Sequence, residues 1–167
     1  PLTSPDGGGD IRRIRKHVAS RLFQFPRFRQ KLAYTPVEKH PVWVDDDRFN
    51  VRYHVRHTRL PRPGDDAELK ALVGRIMSQR LDRNRPLWEL WAIEGLAEDE
   101  FALLFKIHHC MVDGASGMQL LFALLDLSAD KQVGFGSDWS ARPRRSGLAL
   151  VAEELETRIS RSGEFAS

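Results

Sequence analysis

The segment His108-His109-Cys110-Met111-Val112-Asp113-Gly114 gathers two imidazoles, a thiol and a carboxylate within seven residues. Of these groups, neutral imidazole is the one whose ordinary pKa, ~6.5, suits it to take and return a proton near neutral pH. The segment follows the apolar run Phe101 to Ile107 and precedes a helix-like stretch from Ser116 to Leu127. That places the histidines where a strand gives way to a loop, a position from which a base can reach a substrate hydroxyl or amine. While a strand persists, neighbouring side chains face apart. His109 is in step with Phe101, Leu103, Phe105 and Ile107, and His108 with Ala102, Leu104 and Lys106. One of the pair can therefore face a channel while the other packs behind it. Periodicity does not choose between them, because the turn can begin between the two.

Rival chemistries are weaker on the same residues. His108, His109 and Asp113 would make two histidines and a carboxylate for a metal, but alternation splays the histidines and no further ligand cluster is present, so no metal is expected. Cys110 as a nucleophile would face away from its neighbour His109. Asp113 as an orienting triad member would need a tight turn over the four residues from His109; as a carboxylate near a helix start it is stabilised by free backbone N–H groups. Gly114 fits a backbone position where a Cβ would be excluded.

The elements that must hold this loop follow from pattern. Ile11, Ile14, Val18 and Leu22 recur at helical spacing behind Asp10 as N-cap, and Pro26 ends the run. Phe28–Thr35 and Val42–Val44 read as short strands. Val51, Tyr53 and Val55 alternate with Arg52, His54 and Arg56, the period of a half-exposed strand. Asp65 and Glu68 form a capping pair for a helix striped by Leu69, Leu72, Val73 and Ile76 and ending near Arg80. Trp88–Glu94 and Glu100–His108 read as a hairpin. Ser116 to Leu127 is apolar nearly all round and should be buried. Residues 131–145 read as a linker, and Leu148–Ile159 as a last helix.

The chain has 167 residues, one domain's worth, with a net charge of +3. The charge is uneven: residues 1–40 hold nine Lys/Arg against three Asp/Glu, and Arg142, Arg144 and Arg145 form a second cluster. A basic face suits phosphate groups or an anionic lipid surface, and also an ordinary solvated surface. Zinc spacing and RNA-recognition signatures are absent, so no nucleic-acid partner is expected. The single cysteine excludes an internal disulfide and fits a reducing cytoplasm. No apolar run approaches the ~20 residues of a membrane span, so any contact with membrane or lipid bodies would be peripheral.

HHxxxDG after an apolar strand resembles the chloramphenicol acetyltransferase-like acyltransferases. Pro86-Leu87-Trp88 before the preceding strand makes it similar to the bacterial wax ester synthase/diacylglycerol acyltransferase branch. So do Pro26-Arg27-Phe28-Arg29-Gln30, His40-Pro41-Val42-Trp43-Val44, Tyr53-His54-Val55-Arg56 and Leu81 to Pro86. The resemblance implies an α/β fold, a mixed and largely antiparallel sheet packed with helices. It implies two such halves with a channel between them. Residues 1–127 would be the N-terminal half-domain, and 128–167 a linker and helix leading to a C-terminal half that this chain lacks. The short N-terminal Ser-Pro-Leu-Asp-like element of the family is also not found here.

By the same resemblance, the activity is acyl-CoA-dependent O-acyl transfer, making triacylglycerol from diacylglycerol or wax ester from a long-chain alcohol. His109 would be the base beside His108. Asp113 would be a structural carboxylate paired with Arg29, with Gly114 shaping the loop. Acyl-CoA enters as substrate, and no cofactor is implied. Pro86, Leu87 and Trp88 are core residues or walls of the acyl channel. The alternatives are a condensation-type transferase fed by a carrier protein, and a non-catalytic half-domain that binds lipid or a partner.

Overall fold

The computed structural model describes residues 9–22, 25–97 and 100–112, together with Val151. Helix α1, Ile11–Arg21, starts where expected: the Asp10 carboxylate accepts from the backbone N–H groups of Arg12 and Arg13. The Arg13 N–H foremost, then the Arg12 N–H and the Arg12 and Arg13 charges, hold this carboxyl below its usual range, with desolvation opposing them. Its apolar stripe, Ile14, Val18 and Leu22, is buried. Pro26 opens a 3-10 turn, Pro26–Arg29. The expected strand from Phe28 is thereby shortened: β1 spans Gln30–Tyr34 and pairs antiparallel with β2, Pro41–Asp45. Phe28 and Arg29 belong to the turn, and both are buried.

The reading of residues 51–56 as one half-exposed strand is corrected. Asn50 caps a single helical turn, α2, Val51–His54, by accepting from the Arg52 N–H. Strand β3 begins only at Val55 and runs to Arg59. His54, expected on a polar face, is fully buried. Helix α3, Asp66–Ser78, is capped by Asp65, which accepts from the Glu68 N–H. Glu68 reaches back to the N–H of Gly64 rather than of Asp65.

Strand β4, Trp88–Glu94, occupies the middle of a three-stranded sheet, parallel to β3 and antiparallel to β5, Ala102–Ile107. The parallel pair needs a crossover, and α3 lies on it. Cross-strand partners Trp88 and Ile107, Leu90 and Phe105, and Ala92 and Leu103 share the face turned to α1. There they meet Ile14, Val18, Leu22, Phe28, Val55 and Met111 in one hydrophobic core. Two glycines shape the turns at the far end. Gly64 (φ +74°) and Gly95 (φ +84°) occupy the left-handed region, and a Cβ on Gly64 would run into the Gly95 carbonyl.

The helix expected over 116–127, the linker over 131–145 and the helix over 148–159 lie outside the described residues, apart from helical Val151. So does the boundary drawn at 127/128.

Candidate functional site

Strand β5 ends at Ile107, and the backbone turns at once. The His108 N–H donates to the Leu87 carbonyl at 2.9 Å, which extends the ladder by one bond. The His108 carbonyl then accepts from the Met111 N–H at 3.0 Å, closing a 3-10 turn over His109–Met111. Met111 drops into the core and anchors the turn from within. His108, His109 and Cys110 remain exposed.

The two imidazoles are not equivalent. His108 Nδ1 accepts from the Cys110 N–H at 3.2 Å, so its Nδ1 lone pair is engaged and its proton resides on Nε2. His109 lies inside the turn rather than in the strand, and its ring makes no hydrogen bond to another described residue. Strand alternation therefore holds only as far as Ile107; beyond it, the turn sets where each ring points.

Arg27 stands beside this turn. Its guanidinium lies 4.4 Å from the centre of the Trp43 ring, a cation–π contact between the 3-10 turn and β2. Burial pulls Arg27 below the usual arginine range, opposed by the nearby Cys110 sulfur. Burial likewise lowers Arg29, with Asp45 opposing; both stay protonated at neutral pH. Asp113, the expected partner of Arg29, and Gly114 lie outside the described residues. Among the described residues no three His, Cys, Asp or Glu side chains gather as metal ligands.

Pro86, Leu87 and Trp88 lead into β4 and are buried. Leu87 and Trp88 are 2 % and 1 % exposed and belong to the hydrophobic core. The Trp88 indole N–H donates to the Phe28 carbonyl at 2.8 Å, and its ring lies edge-on to Phe28 and stacks on His54 with centroids 4.6 Å apart.

Two residues were missed from pattern. Lys106 is 6 % exposed, yet its ammonium donates to the Ile76 and Gln79 carbonyls at 2.6 and 2.5 Å, holding the end of α3 to β5. A lone lysine inside an apolar strand was the available signal. The other is His54, whose Nδ1–H donates to the Trp88 carbonyl at 2.8 Å. Burial pushes His54 below the ordinary histidine range; the Trp88 carbonyl opposes this and the Arg85 charge adds to it.

A mixed α/β unit with paired histidines at a strand's end fits the chloramphenicol acetyltransferase-like fold. The model of the wax ester synthase/diacylglycerol acyltransferase catalytic domain matches residues 1–166, and the chain belongs to that family. It is 47 % identical over 146 residues to the probable diacylglycerol O-acyltransferase tgs1 of Mycobacterium tuberculosis, covering 84 % of this chain and 32 % of that protein. It is 36 % identical over 126 residues to tgs3 of the same organism, covering 75 % and 46 %. Among solved structures it is similar to the wax ester synthase/diacylglycerol acyltransferase of Marinobacter aquaeolei VT8. That match has TM-score 0.62 and 33 % identity, over 96 % of this chain and 39 % of the other. The chain thus spans less than half the length of these relatives. No helix among the described residues is long and apolar enough to cross a membrane.

Proposed function

We propose that this chain is the His-bearing half of an acyl-CoA-dependent O-acyltransferase, and that His109 is its general base. The acceptor is diacylglycerol or a long-chain alcohol. His109 takes the proton from the acceptor hydroxyl as its oxygen attacks the thioester carbonyl. The new C–O bond forms, the C–S bond breaks, and the imidazolium returns the proton to the departing CoA thiolate. Donor and acceptor are held together, so no covalent acyl-enzyme is needed. Asp113 and Arg29 are a structural pair that fixes the loop, and contact with a membrane or lipid body is peripheral.

The observation that supports this reading is the asymmetry of the two histidines. His108 Nδ1 is engaged by the Cys110 N–H, whereas the exposed His109 ring has no hydrogen-bond partner among the described residues. A base needs an available lone pair, and proton transfer by a positioned histidine is worth ~10²–10⁴ in rate.

The test is CoA release from palmitoyl-CoA with diacylglycerol or hexadecanol, using an enzyme of the relatives' full length that carries this half. His109→Ala should lower kcat by at least ~10² with the fold intact, and His108→Ala should cost less rate and more stability. Equal rate losses with unchanged melting would overturn the assignment. On the same reading residues 1–167 alone turn over no palmitoyl-CoA, since orientation worth ~7–11 kcal/mol of barrier would be missing.

A further inference from the structure

We propose that His54 is a positioning residue for acyl transfer, holding the start of β4 and, through it, the turn that presents His109. The inference rests on the reading of His109 as the base.

In a strand, the N–H and C=O groups of successive residues point alternately to the two neighbours. The Leu87 carbonyl points to β5, where it receives the His108 N–H. The Trp88 carbonyl therefore points the other way, toward β3. But β3 starts only at Val55, opposite Leu90, so no strand residue stands opposite Trp88. His54, curled into the last position of α2, supplies the missing donor from its side chain. The imidazole replaces the backbone N–H that a longer β3 would have offered. One end of β4 is thus clamped from both sides: His54 holds the Trp88 carbonyl, and the adjoining Leu87 carbonyl holds the His108 N–H.

The clamp is rigid for a physical reason. The His54 ring is sandwiched between Phe49, with centroids 5.2 Å apart at 17°, and Trp88, at 4.6 Å and 19°. Tyr53 meets its edge. The Trp88 indole is fixed in turn by its bond to the Phe28 carbonyl. Nδ1 carries the donated proton, and burial disfavours a second proton on Nε2, so the ring does its work as neutral imidazole. A turn joined to β4 by the bond from the His108 N–H to the Leu87 carbonyl depends on where that carbonyl sits, and misplacement by ~1 Å can cost ~10² in rate.

Asparagine at position 54 places an amide N–H where Nδ1 stands, whereas glutamine carries its amide one methylene further out. Both lose the ring, so packing loss is shared and the donor differs. In the full-length enzyme, His54→Gln should lower kcat by ~10–10² with KM for palmitoyl-CoA nearly unchanged, and His54→Asn should recover most of that loss. Amide hydrogen exchange should show the His108 N–H deprotected in His54→Gln, with β4 and β5 interior amides unaffected. Should both variants fold poorly, His54→Phe keeps a ring between Phe49 and Trp88 and should show the same loss of kcat and of His108 protection. The proposal is overturned if these variants leave His108 protection and kcat unchanged. It is equally overturned if the rate merely follows the folded fraction and Asn is no better than Gln. His109→Ala in the same assay separates the two ideas: an active His109→Ala enzyme removes the base, while exchange at His108 still reports whether His54 holds the turn.

Discussion

Lys106→Met probes how the sheet keeps its second face covered. The Lys106 ammonium is buried on the face of β5 opposite the main core, and its two acceptors, Ile76 and Gln79, lie at the C-terminal end of α3. A helix leaves its last carbonyls without internal partners, and these two are satisfied by a side chain from another element. Hydrogen bonds from a charged donor are worth ~1.5–3 kcal/mol, and a cation at a partly buried helix C-terminus adds ~0.3–2 kcal/mol. The Gln79 carbonyl is only part-buried and can turn to water, so one bond rather than two counts in full. Methionine fills the volume of the lysine stem and removes the cost of desolvating the ammonium. The net expectation is a loss of about 1–3 kcal/mol. Urea unfolding followed by circular dichroism would measure it as a lower midpoint at unchanged slope. Amide exchange should localise the loosening to the last turn of α3. Lys70→Met is the control, because its pair with Asp66 is exposed on the same helix and should matter by less than ~0.5 kcal/mol. A Lys106→Met protein as stable as the parent would refute the claim that this ammonium holds α3 in place.

The buried neutral His54 makes stability depend on pH in a definite sense. Its folded pKa is depressed, so below the unfolded value of ~6.5 the unfolded chain binds a proton that the folded chain resists. Its contribution is complete above that pH and is lost as pH falls toward the folded pKa; the urea midpoint should drop on acidification, and less so in His54→Phe. An identical pH profile in the variant would contradict the assignment. At Gly64, alanine would be forced into a left-handed conformation costing ~1–2 kcal/mol, with its Cβ against the Gly95 carbonyl. Gly74→Ala, in an open position on α3, should instead stabilise by ~0.5–1 kcal/mol; thermal melts of the two variants moving in the same direction would refute this.

Sequence pattern was informative wherever an element's signals are local. Asp10 before Ile11, Ile14 and Val18 is a cap followed by a stripe, and the helix is there. Trp88–Glu94 read as a strand and is one over those residues. The errors came where a short window fits two periods. Over Val51 to Val55, alternation and one helical turn demand much the same apolar positions, and the decision fell to Asn50, whose side chain nucleates the turn. His54 and Lys106 were opaque for a different reason. Their partners lie 34 residues away for the Trp88 carbonyl, and 27 and 30 residues away for the α3 carbonyls. No local pattern announces such a bond; a polar residue in an apolar stretch only signals that a partner must exist somewhere.

The same distinction explains why the paired histidines could be located but not told apart. As strand neighbours they would face opposite sides of the sheet, and either could have been the outward one. The bond from Met111 N–H to the His108 carbonyl bends the chain directly after His108, so the first ring folds back on its own turn and receives the Cys110 N–H. A residue placed to close a turn has its lone pair engaged by the backbone, which is a structural task. The next residue is carried outward by the turn so formed, on a platform fixed from below by Met111 and from the side by the Leu87 carbonyl. With His109 as the proposed base, doubling the histidine separates two demands that one imidazole meets poorly: to hold the loop still, and to keep a nitrogen open for a proton.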